Sequence, residues 1–319
     1  MNQKKAIDCF KKLSSSPYNP EIPKKHLLVS VFMKLAKLLG AQGRITPHLY
    51  KGKDFEKLLY EYSNAKDFLN LIERYMGKQF LNRKKVLDVG CGWDGKDIYY
   101  SEHSKLKTII GFDLPDVFNP REAEAFALSK NIHNCFFTTG YAENIPSDNN
   151  TFDIIIMEDV LEHVKDPQKA ISECFRVLRI QGYLIIKFPS FKGCYSHHLD
   201  RAINLPALHY ILPIKIWAQG LNFLLLNSSY KLFYEPFDEI VSTPYCKSIT
   251  SNLNGLDFAH FKDIINKTRF NIRYMKIMPF KFQKKFPFIR LMYNAIWRLG
   301  LFKEFLSPFI IFIGEKNNN

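Results

Sequence analysis

Val86-Leu87-Asp88-Val89 runs directly into Gly90-Cys91-Gly92-Trp93-Asp94-Gly95. A short apolar run that ends in closely spaced glycines reads as a buried strand entering a tight turn. The glycines let the backbone turn and approach a ligand, and a helix beginning near Lys96 offers unpaired N–H groups to an anion. The alternation continues downstream. Thr108–Asp113, Cys135–Thr138, Phe152–Met157 and Gly182–Phe188 read as strands, and Arg121–Lys130 and Pro167–Leu178 as helices. Strands and helices alternating at this spacing imply an α/β fold with a parallel sheet covered on both faces.

The flanks differ in kind. Lys24–Leu39 and Asp54–Gly77 carry apolar residues at helical spacing and precede the sheet. The second has Leu58, Leu59, Tyr62, Phe68, Leu71 and Ile72 on its apolar side. After Pro189 comes an aromatic and histidine-rich stretch to Thr250, partly helical, then a helix over Leu256–Lys267 and a strand over Phe270–Ile277. Phe288–Leu299 is amphipathic, with Ile289, Met292, Ile296 and Leu299 on one face, and Phe309–Ile313 is a short terminal strand. The expected organisation is 1–83 as an N-terminal arm with helices, 84–190 as the ligand-binding core, and 191–319 as an acceptor-binding insertion that completes the sheet.

Charge follows the same division. The 319 residues carry a net +14. Residues 84–190 hold 12 Lys and Arg against 16 Asp and Glu, whereas 1–83 hold 16 against 7 and 191–319 hold 17 against 8. A mildly acidic centre is flanked by two basic segments. Such an excess fits nucleic acid, an anionic membrane or an acidic ligand, so its position matters more than its total. The six cysteines share no metal-ligand or framework spacing, which leaves zinc ribbons and disulfide scaffolds unsupported. The N-terminus lacks an apolar signal core, and the longest apolar stretches, Ile216–Tyr230 and Phe305–Ile313, fall short of the ~20 residues that span a bilayer. A cytoplasmic protein, at most peripheral to a membrane, is expected.

Asp88 separates the ligands that the glycine loop accommodates. A carboxylate two residues before Gly90 repels a pyrophosphate but suits an ammonium beside a carboxylate, as in the amino-acid end of S-adenosylmethionine. Asp113, at the end of the second strand, suits two ribose hydroxyls. With VLDVGCGWDG, IIGFDL, GYAENIPSDNNTFDIIIMEDVLEHVKDP and ECFRVLRIQGYLIIKFP in order over Lys84–Pro189, the chain resembles the class I S-adenosylmethionine-dependent methyltransferases, in the branch that methylates quinones, lipids and sugars.

That resemblance implies a Rossmann-like, doubly wound sheet of seven strands, mostly parallel with an antiparallel last strand, carrying N-terminal helices and a helical insertion after the fifth strand. It implies S-adenosyl-L-methionine as cofactor. Asp88, Gly90 and Gly92 would line its methionine end, Asp113 its ribose, and Leu114, Ala142 and Glu143 its adenine. Glu158 or Asp159 would lie near the transferred methyl. Trp93-Asp94, Tyr141 and Arg179–Gly182 depart from the family's usual residues. His163, His197 and His198 are candidate bases for an acceptor hydroxyl. No His pair has metal-ligand spacing, so no metal is expected.

Methyl transfer to an oxygen of a sugar, lipid-linked or quinone-like acceptor is the leading reading. A nucleic-acid methyltransferase is the alternative suggested by the basic flanks. Glu158-Asp159-Val160-Leu161 stands where base-amine enzymes carry an N/D-P-P-Y/F segment, which argues against nucleic acid as a partner. A non-catalytic cofactor-binding subunit is the other alternative. Pro279–Pro287 interleaves cations with aromatics, which suits an anionic membrane surface or a phosphorylated, lipid-linked acceptor.

Overall fold

A computed structural model describes residues 54–115, 120–194, 207–211, 213, 240–246, 249–250, 253–279, 287–300 and 302–317. The helix expected over Lys24–Leu39 and most of the aromatic and histidine-rich stretch, with Tyr195, His197 and His198, lie outside the described residues.

The described elements are, in chain order, α1 (Asp54–Met76), β1 (Lys85–Val89), α2 (Gly95–His103), β2 (Thr108–Asp113), α3 (Pro120–Ser129), β3 (Cys135–Thr139), β4 (Phe152–Glu158), α4 (Pro167–Val177), β5 (Leu178–Phe188), α5 (Leu208–Ile211), β6 (Ile240–Val241), β7 (Ile249–Thr250), α6 (Phe258–Asn266), β8 (Phe270–Met278), α7 (Pro287–Arg298) and β9 (Phe309–Lys316). Seven strands form one sheet in the order β3-β2-β1-β4-β5-β9-β8. β1 to β5 pair in parallel, and β9 runs antiparallel to both β5 and β8. The mostly parallel, doubly wound sheet with an antiparallel last strand is therefore as expected.

Alternation along each strand divides the core between the two faces. Leu87, Ile155, Leu184, Ile186 and Phe312 pack with α4 and α6 on one side. Val86, Ile109, Ile154, Ile156, Ile185 and Ile311 pack with α1, α2 and α3 on the other. On α1, Leu58, Ala65, Phe68, Leu69 and Ile72 all enter that second core, so the helix belongs to the sheet's own packing. A Cβ on Gly95 would collide with the Leu58 carbonyl, and α1 and α2 cross at that bare backbone. α4 is strongly amphipathic, begins with Pro167 and is capped by the Asp166 carboxylate, which accepts from Lys169 N.

One expectation changes. β5 begins at Leu178, not Gly182, because Leu178 pairs with Phe152 before a bulge. Arg179–Gly182 lies inside that irregular stretch, with Gln181 at φ 61° and Gly182 pressed against the Arg179 and Asp153 carbonyls. α7 follows the expected helix Phe288–Leu299 closely. Met292, Ile296 and Leu299 are exposed, while Tyr293 is buried and donates to the Leu306 carbonyl. That tyrosine, with a polar end that finds a backbone partner, holds the helix down in place of the aliphatic stripe.

Candidate active site

The site forms at the C-terminal ends of β1, β2 and β4, where a parallel sheet leaves its crevice. After Val89 the chain turns through Gly90 and Gly92, at φ 75° and 71°. A Cβ on Gly90 would run into the Val160 side chain, and one on Gly92 would stand 2.5 Å from Glu61 Oε1. Only glycine satisfies both the left-handed backbone and the missing space.

Backbone amides of this loop are fully engaged. Gly90 N and Cys91 N donate to the Phe112 carbonyl at 2.8 and 3.2 Å. Gly92 N donates to Asp113 Oδ2 at 2.9 Å. Trp93 N and Gly95 N donate to Glu61 Oε2 at 3.1 and 3.3 Å. The amides expected to await an external anion are thus held by a carboxylate from α1. Burial raises the Glu61 pKa to about 7, against the pull of Lys96 and the two amides.

A cavity of about 1840 Å³ opens beside the loop. Gly90, Gly92, Asp113, Leu114, Ala142, Glu143, Glu158, Asp159 and His163 all border it, so the structure brings these candidates together. Asp113 caps β2 with Oδ1 accepting from Leu114 N and Oδ2 from Gly92 N. Each oxygen keeps a further lone pair for a hydroxyl donor. Burial raises its pKa, opposed by those two amides. Leu114 is 41% exposed at the rim. Glu143 is tied back to the chain: its Oε1 accepts from Lys165 N and Asp166 N at 2.9 and 3.3 Å.

Asp88 is placed differently. It is 1% exposed, lies beneath the loop and does not border the cavity. Asp94 and Asp97 are buried beside it, and Asp94 holds φ 63°. Gly111 on β2 makes room for them, since a Cβ there would collide with both carboxylates. Burial raises Asp88 to about 6 and pushes Asp94 and Asp97 well above the usual carboxylate range. Such a group holds shared protons, because three adjacent buried charges cannot coexist. The acidity of Trp93-Asp94 therefore faces the sheet, away from the cavity, while Trp93 borders the cavity under the Lys57 ammonium at 4.3 Å.

Two lysines, Lys96 and Lys187, complete the floor and are not distinguished by sequence reasoning. Glu158, closing β4, accepts from Lys96 Nζ at 3.1 Å and Lys187 Nζ at 2.9 Å. Lys187 also donates to Asp159 Oδ2 at 3.1 Å. Burial would raise the Glu158 pKa, but the two ammonium groups outweigh it and bring it to about 2. Glu158 stays ionised and both lysines stay charged. Asp159 holds φ 56°, a strained conformation at the site's edge. The signal for Lys187 was a single cation within the apolar strand Leu184–Phe188, and for Lys96 its place directly after the glycines. Glu61 gave no signal on the polar side of its helix.

His163 borders the cavity with its side chain 39% exposed, and its Nε2 lies 3.7 Å from Oε1 of buried Glu162. The cavity continues along α1, where Phe68, Leu71 and Tyr75 alternate with Asn64, Asp67, Asn70 and Arg74, and is walled further by Met278, Pro308 and Phe309. The Tyr75 and Tyr274 rings lie 4.3 Å apart behind it, with the Tyr274 hydroxyl donating to that of Tyr75.

A family model described as "Methyltransferase domain" matches residues 87–186, from within β1 to within β5, and so takes in the glycine loop and the ends of β2 and β4. The core is a methyltransferase domain. An uncharacterized methyltransferase of Schizosaccharomyces pombe is 32% identical over 118 residues, 35% of this chain and 42% of that protein. A phthiotriol/phenolphthiotriol dimycocerosates methyltransferase of Mycobacterium leprae is 29% identical over 116 residues, 36% of this chain and 42% of the relative. The ubiquinone biosynthesis O-methyltransferase of Citrobacter koseri is 31% identical over 100 residues, 31% of this chain and 40% of the relative. The chain thus spans about two fifths of the length of the curated relatives it matches.

S-adenosylmethionine is the cofactor of the methyltransferase domain, and the residues present fit it. Gly90 and Gly92 leave a cradle that any Cβ would fill, Asp113 offers two acceptor oxygens at its rim, and Ala142 with Leu114 supplies an apolar edge for a base. The cavity exceeds the roughly 300–1,000 Å³ of a site for one small ligand, which leaves room for a second. Among the described residues no group of three or more His, Cys, Asp or Glu is placed to hold a metal ion.

Proposed function

We propose that the protein transfers a methyl group from S-adenosylmethionine to an oxygen of a small-molecule acceptor of the sugar, lipid-linked or quinone-like kind. The observation that carries this reading is the continuity of one cavity from the glycine loop, past Glu158 and His163, to the aromatic walls Phe68, Tyr75 and Phe309. The cofactor, when bound, supplies an activated methyl on its sulfonium. Asp113 would hold the ribose, and Gly90 and Gly92 the methionine end, with Asp88 acting from beneath. Leu114, Ala142 and Glu143 would frame the adenine, Glu143 through the backbone it ties down. Glu158, ionised between two lysines, sets the field beside the reacting centre, and Asp159 orients Lys187.

The acceptor hydroxyl needs alignment with the methyl and a place for its proton. Among the described histidines, His163 suits that task, because the Glu162 carboxylate at 3.7 Å favours the imidazolium that results. Phe68, Leu71, Tyr75 and Phe309 would exclude water and hold an apolar tail. A phthiotriol/phenolphthiotriol dimycocerosates methyltransferase and a ubiquinone biosynthesis O-methyltransferase among the relatives support an apolar acceptor.

The test is methyl-labelled S-adenosylmethionine incubated with the protein and, separately, a lipid extract, a reduced quinone, a lipid-linked sugar and RNA. Label that partitions into the organic phase or onto the sugar supports the reading. Label on RNA refutes the acceptor class, and label nowhere, despite cofactor binding, favours the non-catalytic subunit.

Peripheral contact with an anionic membrane at the cytoplasmic side extends the same reading. α7 presents Leu291, Met292 and Ile296, and Leu299 and Phe302 follow it, all exposed. Pro279–Lys303 holds six Lys and Arg and no Asp or Glu. No described helix is long and apolar enough to cross a membrane. Equal sedimentation with phosphatidylglycerol vesicles and with neutral ones would return this charge to mere composition.

A further inference from the structure

Helix α1 lies outside the matched core, yet it reaches the centre of the cofactor cradle through one side chain. Glu61 Oε2 accepts from the amides of Trp93 and Gly95, and Oε1 stands over Gly92. Both Glu61 and Gly92 border the cavity. The N-terminal end of α2 carries a partial positive charge that favours one anion, and the chain itself supplies that anion. A second carboxylate brought to the same amides would face Glu61 at close range and find no free N–H.

We propose that Glu61 orients the cofactor by facing the α-ammonium of its amino-acid end, and so turns the cofactor's carboxylate away from the α2 N-terminus. This rests on the reading of the cavity as an S-adenosylmethionine site. Three observations support it. The Glu61 carboxylate is held rigidly, because α1 is locked against bare backbone at Gly95, where Leu58 O and Tyr62 N leave no room for a Cβ. The hydrogen bonds to both amides use Oε2, which leaves Oε1 directed over the glycine where a ligand's chain would pass. Lys96, the cation facing Glu61 from α2, is engaged by Glu158 at 3.1 Å, so a cation arriving from the cavity side completes the balance of charge around Glu61. Glu61 is then a specificity-determining residue that distinguishes an aminated adenosyl ligand from one lacking the amine.

The test is calorimetry on the full chain with S-adenosylhomocysteine and with 5′-methylthioadenosine, which lacks the amino-acid end. Glu61→Gln keeps an acceptor for the amides and removes the charge. It should weaken S-adenosylhomocysteine at least ten-fold, the scale of one charge-assisted hydrogen bond, and change 5′-methylthioadenosine less than two-fold. Equal weakening of both ligands would assign Glu61 a purely structural role and overturn the proposal, as would wild-type affinity for S-adenosylhomocysteine in Glu61→Gln. The unmodified protein gives a second measurement that needs no variant: desamino-S-adenosylhomocysteine should bind at least ten-fold more weakly than the parent, and equal affinity overturns the proposal. Wild-type protein that binds none of these compounds would instead overturn the cofactor reading beneath it.

Discussion

Asn254 is the residue whose loss should reveal most about how the His163 loop is held. It is 4% exposed, and its side chain donates to the Leu161 carbonyl at 2.7 Å and the Val164 carbonyl at 2.9 Å, while its Oδ1 accepts from Leu256 N at 2.9 Å. Leu161 and Val164 bracket His163, so one amide fastens the loop after β4 to the segment that leads into α6. Asn254→Ala removes three bonds at once and leaves two carbonyls and one N–H in apolar surroundings. Each bond contributes about 1 kcal/mol net, and an unpaired buried group costs about 1–3 kcal/mol. Allowing for relaxation and a water entering the gap, the loss should be about 3–5 kcal/mol. At roughly 2–4 °C per kcal/mol for a chain of this size, the midpoint should fall by roughly 10 °C. Thermal unfolding followed by circular dichroism measures it directly. A fall below about 2 °C would refute the reasoning, since it would mean that the loop stands without this fastening.

Asp113→Ala should weaken S-adenosylhomocysteine at least ~100-fold, because it removes two charge-assisted acceptors and frees the Gly92 and Leu114 amides; unchanged affinity by calorimetry would sink the site assignment. Gly90→Ala should destabilise by about 2–4 kcal/mol through its φ of 75° and the collision with Val160, and Val160→Ala in the same chain should recover part of that loss in urea unfolding; no recovery would remove Val160 as the cause. His163→Gln should lower methyl transfer about 10²-fold or more with cofactor affinity unchanged, and a rate within two-fold of wild type would take His163 out of the reaction. Stability should depend on pH in a particular direction. Burial raises Glu61 from 4.5 to about 7 and Asp88 from 3.8 to about 6, so the folded chain keeps protons that the unfolded chain releases, and stability falls as pH rises through that window. Glu158 acts oppositely: lowered from 4.5 to about 2, it contributes stability above its unfolded value that is lost as pH falls toward 2. Ligand-free protein should therefore be most stable near pH 4 and weaken toward pH 7; a urea midpoint that is flat or rising between those values contradicts the raised carboxyls.

The parallel half of the sheet was legible because its signals are local. Each of the first four strands is an apolar run bounded by a glycine, an acid or a turn, and the observed ends differ from the expected ones by about a residue. β9 was expected to stop at Ile313 but continues to Lys316. Gly314-Glu315-Lys316 looks like a polar exit. In fact Lys316 Nζ is buried against Asn150 Oδ1 and the Phe175 and Leu178 carbonyls, and Glu315 meets Arg273 on β8. Those partners are more than a hundred residues away or on a neighbouring strand, so no local pattern reveals them. The site divides in the same way. The glycines and Asp113 announce themselves by spacing and Glu158 or Asp159 through the family resemblance, whereas Glu61 depends on which turn of α1 crosses the loop. Which side of α7 is buried was not legible either: Tyr293, beside the aliphatic stripe, finds its partner in the Leu306 carbonyl.

The insertion of β9 between β5 and β8 sets a timetable for synthesis. The first five strands emerge in order, yet β5 cannot complete its outer edge until Phe309–Lys316 follows, about 120 residues later. At roughly 5–20 residues per second that interval lasts about 6–25 seconds. Throughout it, the backbone of Tyr183–Phe188 offers an open edge within an apolar strand, and the cavity wall that Pro308 and Phe309 provide does not yet exist. The nascent chain therefore passes through a stage in which the glycine-loop side of the sheet can assemble while the edge of β5 that β9 will occupy stays unpaired.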